Sequence, residues 1–152
     1  MKNKPNKLYL CYAGTGKSYL AKEHPNFIDL DSSAFTKDDN WVGNYCRTAK
    51  HLLKTHNVLM SCHLPVRKYL TKAGIDYTLV YPDIELSLYW GDLLKKRADE
   101  SGWRGDYSAL TAHLKWFKHW FEEMERDKLH NKIVIKKEGQ FLEDILAARG
   151  KL

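Results

Sequence analysis

The segment Cys11–Ser18, Cys-Tyr-Ala-Gly-Thr-Gly-Lys-Ser, matches the pattern GxxxxGK(S/T) at every fixed position but the first, where Cys11 stands in place of glycine. Glycines at 14 and 16 allow backbone N–H groups to turn inward and come close to phosphate oxygens. A helix opening at Lys17 aims its positive end at the same place. Lys17 is expected to reach the β- and γ-phosphates as a point charge, and the Ser18 hydroxyl to hold Mg²⁺. Triphosphate contacts are expected from Ala13, Gly14, Thr15, Gly16, Lys17, Ser18 and Tyr19. A plain glycine turn between strand and helix is the alternative, and a redox role for Cys11 is another.

Three further groups could do chemistry. Asp29 and Asp31 form Asp-Leu-Asp at the end of an apolar run, and alternation along a strand puts both side chains on one side. Paired carboxylates there can orient Mg²⁺ and accept a proton from an attacking hydroxyl, with Asp29 the metal candidate and Asp31 the acceptor candidate. A loop-initiating turn capped by Ser32 or Ser33 explains them too. His63 and Arg67 follow a third apolar run and are candidates for holding an acceptor's phosphate or base; a surface helix start is the competing account. The stretch from Lys95 to Gly105 is cationic and glycine-bearing, and Arg97 and Arg104 are candidates for a mobile arm over a transferring phosphoryl group. A solvated helix end is the alternative there.

The elements that must position these residues alternate. Strands are expected at Lys7–Tyr12, from Phe27 to Asp31, at Asn57–Ser61, from Tyr77 to Tyr81 and at Lys132–Ile135. Helices are expected at Lys17–Glu23, Trp41–His56, Pro65–Ala73, about Ile84–Glu100, Tyr107–Lys128 and Gln140–Ala148. Such alternation points to a parallel sheet wrapped by helices, with ligands at the carboxyl ends of the strands. Tyr107, Leu110, Leu114, Phe117, Phe121 and Met124 recur at three- and four-residue steps, so that helix is expected to turn this stripe to the core, with Trp116 and Trp120 beside it. A partner or homodimer surface is the other reading of a tryptophan-bearing face.

At 152 residues the chain fits one domain, with no repeat or linker. No apolar run nears the roughly 20 residues of a bilayer span. The basic start, Met1–Lys7, lacks a signal-peptide core, so a cytoplasmic, non-membrane protein is expected. Cys11, Cys46 and Cys62 form neither an even set nor a CxxC pair and read as reduced thiols. His51, His56, His63 and Cys62 lack the spacing of a zinc site. The formal charge of +6, from 25 basic and 19 acidic residues, suits a polyanionic partner; a nucleotide leads and nucleic acid comes second.

With the glycine loop, the Asp-x-Asp strand end and the arginine-bearing segment in this order, the chain resembles the nucleoside and nucleotide kinase branch of P-loop proteins. The stretches Ser61–Arg67 and Gly74–Asp83 narrow the likeness to small phage-encoded deoxynucleoside monophosphate kinases and adenylate-kinase-like proteins. The resemblance implies an α/β, three-layer P-loop NTPase fold with a five-stranded parallel sheet in order 2-3-1-4-5 and a helical lid at about 90–106. It implies ATP and Mg²⁺ as cofactors and Lys17, Asp29, Asp31, Arg97 and Arg104 as catalytic residues, with Asp31 also against the acceptor, beside the His63 and Arg67 candidates that the strand end itself offers. It also places Lys136–Gln140 where an adenine-contacting loop is usual, in the cytoplasm of a host cell if the chain is phage-encoded. Cys11 and the Trp-Arg-Gly sequence at 103–105 depart from the family pattern. Two alternatives are a polynucleotide 5′-hydroxyl kinase, with Trp90 or Trp103 stacking on a terminal base, and a nucleotide-dependent adaptor or switch without useful catalysis.

Overall fold

The computed structural model describes residues 5–152; residues 1–4, the start of the basic N-terminal segment, lie outside it. The strands form one five-stranded parallel sheet in the order β2-β3-β1-β4-β5, so the α/β class and the strand order follow the expectation. The chain divides into two compact units.

The first unit holds β1 (Leu8–Cys11), α1 (Lys17–Glu23), β2 (Phe27–Asp29), α2 (Trp41–Leu52), β3 (Asn57–Ser61) and α3 (Leu64–Lys72). Parallel strands covered on both faces become near-continuous apolar runs. That is why β1 is buried at all four positions and Val58, Leu59 and Met60 are fully buried. Leu8–Cys11 pairs with Val58–Ser61, and Phe27–Asp29 with Asn57–Leu59. Asp29 and Ser61 therefore close their strands at one edge of the sheet. Lys17–Glu23 and Asn57–Ser61 have the expected bounds. The helix from Trp41 stops at Leu52, short of His56. Pro65 lies in the first turn of α3, where its missing N–H leaves no orphan donor.

The second unit holds the loop Tyr12–Gly16 and takes up the end of β4 (Thr78–Pro82), then α4 (Ser87–Ser101), α5 (Arg104–Arg126), β5 (Asn131–Ile135) from Ile133 onward and α6 (Leu142–Ala148). The expected helix from Ile84 begins instead as a 3₁₀ turn, Ile84–Leu86, capped by the Asp83 carboxylate through the Glu85 N–H at 3.1 Å. Gly102, at φ 64°, ends α4 in the left-handed region and donates to the Ala98 carbonyl.

The expected stripe of α5 is rotated. Tyr107 and Leu114 are exposed, whereas Asp106, His113, Phe117 and Met124 are buried. The inward face follows 106, 110, 113, 117, 120 and 124, alternating steps of four and three with a histidine and an aspartate among the apolar residues. Trp120 belongs to that face, its ring 6.3 Å from Tyr12, while Trp116 is half exposed. Among the described residues no helix is long and apolar enough to cross a membrane.

Candidate functional site

The glycine loop, Tyr12–Gly16, is held by its carbonyls. Buried Trp90 donates its indole N–H to the Ala13 carbonyl at 2.7 Å. The Leu142 amide, at the start of α6, donates to the Thr15 carbonyl at 3.0 Å. The Thr15 hydroxyl, itself fully buried, donates to the Tyr12 carbonyl at 2.9 Å. In a trans peptide the N–H points opposite to the C=O. The Ala13 and Thr15 carbonyls bond to Trp90 and Leu142, outside the loop, so the amides of Gly14 and Gly16 point away from those partners, whereas the Tyr12 carbonyl closes the turn on the Thr15 amide and hydroxyl. Gly14 and Gly16 take φ of 85° and 99°, left-handed conformations that cost a side-chain-bearing residue roughly 1–2 kcal/mol. A Cβ on Gly14 would also lie 3.1 Å from Leu94 and from the Trp90 indole nitrogen. The result is a nest of N–H groups that fits an anion.

A second anchor lies beneath the loop. His113 Nε2 is 2.8 Å from the Ser87 carbonyl, which can only accept, so Nε2 carries the proton and Nδ1 accepts from the Tyr12 hydroxyl at 2.7 Å. Burial holds His113 below the ordinary histidine value, offset in part by the Ser87 bond. Tyr12 also packs edge-on against Phe117, 5.2 Å away. Cys11, in place of the first glycine, is buried in β1 at 2% exposure, which removes the access a redox-active thiol needs. Burial likewise pushes the Cys46 thiol up to about 11.

In the first unit the loop's continuation meets the end of β2. Ser18 donates its hydroxyl proton to Asp29 Oδ2 at 2.8 Å. Asp29 Oδ1 is buried and has no hydrogen-bond partner among the described residues. A buried carboxylate oxygen left without a partner costs about 1–3 kcal/mol unless something fills the site. The Ser18 lone pairs and Asp29 Oδ1 are hard oxygen ligands of the kind Mg²⁺ takes, so the residues present fit that ion as a partial set. Among the described residues no group of three or more His, Cys, Asp and Glu could hold a metal by itself. A cation here would therefore draw its remaining oxygens from phosphate and water.

Asp31 is placed differently from Asp29. It is exposed and accepts from the Ser33 amide at 2.9 Å, capping the 3₁₀ turn Ser32–Ala34; the carboxylate, not either serine, is the cap. Tyr45 ties the two strand ends together: its hydroxyl donates to the Leu30 carbonyl at 2.6 Å and accepts from the Ser61 amide at 2.9 Å. Burial raises its pKa well above the ordinary tyrosine value, so it stays a neutral strut.

His63 sits just before α3, edge-on to Trp41 at 6.0 Å. Lys37 lies over the same Trp41 ring at 4.5 Å. Arg67, one turn into α3 and 6% exposed, donates Nε–H to the Cys62 carbonyl at 3.0 Å. Burial first, then the charges of Lys37, Lys17 and Arg67, hold His63 below the usual histidine value. Three cations thus bear on one neutral imidazole, a field that favours an anion. Lys37 carried no sequence signal of this role; its place directly before the Asp38–Asp39 pair reads as loop.

The arginines of the cationic stretch are separate from each other. Arg97 Nε is 3.1 Å from Asp106, which also accepts from the Ser101 hydroxyl at 2.6 Å. Arg104 opens α5 and lines a trough on its outer face. Trp90 is fully buried at the loop, which corrects its expected role as a stacking surface; Trp103 is about half exposed. Tyr19 is exposed on α1, and in the region expected to contact adenine the Gly139 amide donates to the Tyr89 hydroxyl at 2.9 Å. Trp90 and His113, the two side chains that set the loop, carried no sequence signal of that role.

No protein-family model matches the chain, and no curated protein does. A crystal structure of an uncharacterized protein from Eubacterium ventriosum is similar with a TM-score of 0.51, at 14% identity over 97% of each chain. At that identity the likeness concerns the fold.

Proposed function

We propose that the chain is a P-loop phosphotransferase that uses ATP and Mg²⁺ to phosphorylate a nucleoside monophosphate or a similar small nucleotide. The observation that carries this reading is the Ser18–Asp29 pair with its buried, partnerless carboxylate oxygen, following directly on a glycine loop whose Gly14 and Gly16 amides point away from Trp90 and Leu142. In this reading the fold is of the P-loop NTPase kind, and those amides with Lys17 hold the donor's phosphates. Ser18 and Asp29 would hold the magnesium ion, whose chemistry is to neutralise charge on the phosphates. Asp31 orients the attacking oxygen of the acceptor, a phosphate oxygen in a monophosphate, and takes up a proton only where that oxygen carries one, while His63 and Arg67, with Lys37 beside them, offer a cationic seat for an acceptor anion. Arg97 would have to leave Asp106 to meet a transferring group, so charge stabilisation rests on Lys17 first, with Arg104 as the remaining lid candidate.

The test is ADP release over a panel of nucleoside monophosphates, nucleosides and oligonucleotide 5′-hydroxyls. Acceptor-dependent turnover that falls at least about a hundredfold in Lys17→Ala is expected. Turnover that no acceptor stimulates, with unchanged hydrolysis in Lys17→Ala, would overturn the proposal and leave the adaptor reading.

A further inference from the structure

The formal charge of +6 has one location along the chain. Six of the 25 basic residues and none of the 19 acidic ones lie between Asn40 and Ile75, so the remainder of the sequence is balanced. That segment is α2, β3 and α3 with their connections. Arg67 is buried and turned to the Cys62 carbonyl. The other five cations, Arg47, Lys50, Lys54, Lys68 and Lys72, are exposed. Arg47 and Lys50 on α2, with Lys54 in the turn after it, follow steps of three and four and are turned away from buried Tyr45, Cys46 and Ala49. Lys68 and Lys72 stand one turn apart on α3, away from buried Val66 and Leu70. The β2-to-β3 and β3-to-β4 crossovers run the same way, so right-handed connections put α2 and α3 on one side of the sheet. The two helices touch there, Cys46 Sγ lying 4.0 Å from the Val66 carbonyl.

Among the described residues none of the five cations forms an ion pair. Arg47 donates to the neutral Asn44 amide oxygen at 2.7 Å, and its guanidinium lies across Gly43, where a Cβ would come within 2.9 Å of it. The flanking acids in sequence lie beyond the helices: Asp38 and Asp39 precede α2, and Asp76, after α3, is bonded to His130 at 3.1 Å. What fits this face is set as much by what it lacks. Neither helix has an exposed Trp, Tyr, Phe or large aliphatic side chain. A single strand would find no ring on which to stack its bases, and a protein partner no apolar anchor. A duplex needs neither, because its bases are already stacked inside and its surface is phosphate. The seven residues from Arg47 to Lys54 cover about 10 Å, over which a duplex presents about six phosphates. The two rows bring five cations to them.

We propose that the outer face of α2 and α3 binds the phosphate backbone of double-stranded nucleic acid without reading its sequence. The affinity then comes from release of counterions and falls steeply with salt. This surface uses neither the glycine loop nor the Ser18–Asp29 pair, and no transfer reaction is assigned to it.

Fluorescence anisotropy of a short labelled DNA duplex, titrated with the full chain across a range of salt, tests the assignment. Five phosphate contacts should make log affinity fall with log salt at a slope of about 4–5. Lys50→Ala and Lys68→Ala, one from each row, should each weaken binding and lower that slope by about one. Lys22→Ala is an equal charge change on α1, whose β1-to-β2 crossover runs the other way and sets it on the opposite side of the sheet. It should leave the slope unchanged. Melting temperatures establish that each variant is folded; if one of the two row variants is not, the other decides. Any of three results would overturn the proposal: no duplex binding at low salt, an equal loss of slope in Lys22→Ala, or displacement by a single strand, polyglutamate or anionic lipid vesicles as effective, at equal charge, as by unlabelled duplex. The titration contains no triphosphate, so failure of the kinase reading and failure of this one are distinguishable.

Discussion

The glycine loop and the Asp29 end of β2 are prepared in opposite ways. Three loop carbonyls are satisfied by buried donors, and Tyr12 is locked through His113 to the Ser87 carbonyl. At Asp29 one oxygen is engaged by Ser18, and the other is buried with no hydrogen-bond partner among the described residues. The loop is finished by folding; the carboxylate is not. Preorganised donors need no rearrangement when an anion arrives, whereas an incomplete carboxylate stores a cost that a cation can relieve.

The sharpest way to break this contrast is to remove one support from each region. Trp90→Ala should destabilise the protein by about 3–5 kcal/mol in denaturant unfolding, through loss of a fully buried ring and of the Ala13 carbonyl's donor. Asp29→Ala should cost under about 1 kcal/mol, since it also removes the unsatisfied oxygen. Equal losses would show that the β2 end is as finished as the loop.

Asp29→Asn sharpens the same contrast by separating folding from ligand. Without nucleotide its melting temperature should match or exceed that of the unaltered chain. Saturating Mg-ATP should then raise the unaltered chain's stability by about 2.7 kcal/mol at a hundred times Kd, and the variant's by much less. An equal rise in both would mean that Asp29 does not serve the bound complex. Next in size is Gly14→Ala, expected to cost about 1–2 kcal/mol from its positive φ, with a contact to Trp90 and Leu94 to relieve besides. If its unfolding midpoint is unchanged, the loop is less rigid than its bonds imply.

Much of this was legible in sequence where the signal is local. The alternation of apolar runs and helical patterns predicted the parallel sheet, and Lys17–Glu23 and Asn57–Ser61 have their expected bounds because a glycine turn and a β-branched and apolar run mark them. Pairing across distance was not legible. Trp90 and His113 act on a loop 77 and 101 residues away, and no spacing rule connects them to it. His113 also explains the rotated α5 stripe: a histidine reads as polar, so the pattern passes to Leu114, although the Tyr12 and Ser87 bonds satisfy the ring and draw it inside. Asp29 and Asp31 look equivalent in sequence, yet Asp31 caps a turn because it lies past the strand end, where the Ser33 amide comes within reach.

The smallest expected effect concerns the loop anchor and pH. His113 must stay neutral, because Nδ1 accepts from Tyr12, and burial already lowers its pKa from the ordinary 6.5. The unfolded chain therefore binds a proton near pH 6.5 that the folded chain refuses until a lower pH. Between those two values the unfolded state holds more protons, so stability rises with pH and is lost as pH falls through the window. One such proton contributes a slope of at most about 1.4 kcal/mol per pH unit. His63 is lowered as well and adds a slope of the same sign, so the measurement must isolate the anchor. His113→Gln does so: the amide oxygen can accept from Tyr12 and the amide nitrogen can donate to Ser87, without titrating. Unfolding free energies below pH 6.5 should fall less steeply in that variant than in the unaltered chain. Parallel slopes would mean that the imidazole can be protonated in place, and that the loop is not locked through a neutral ring.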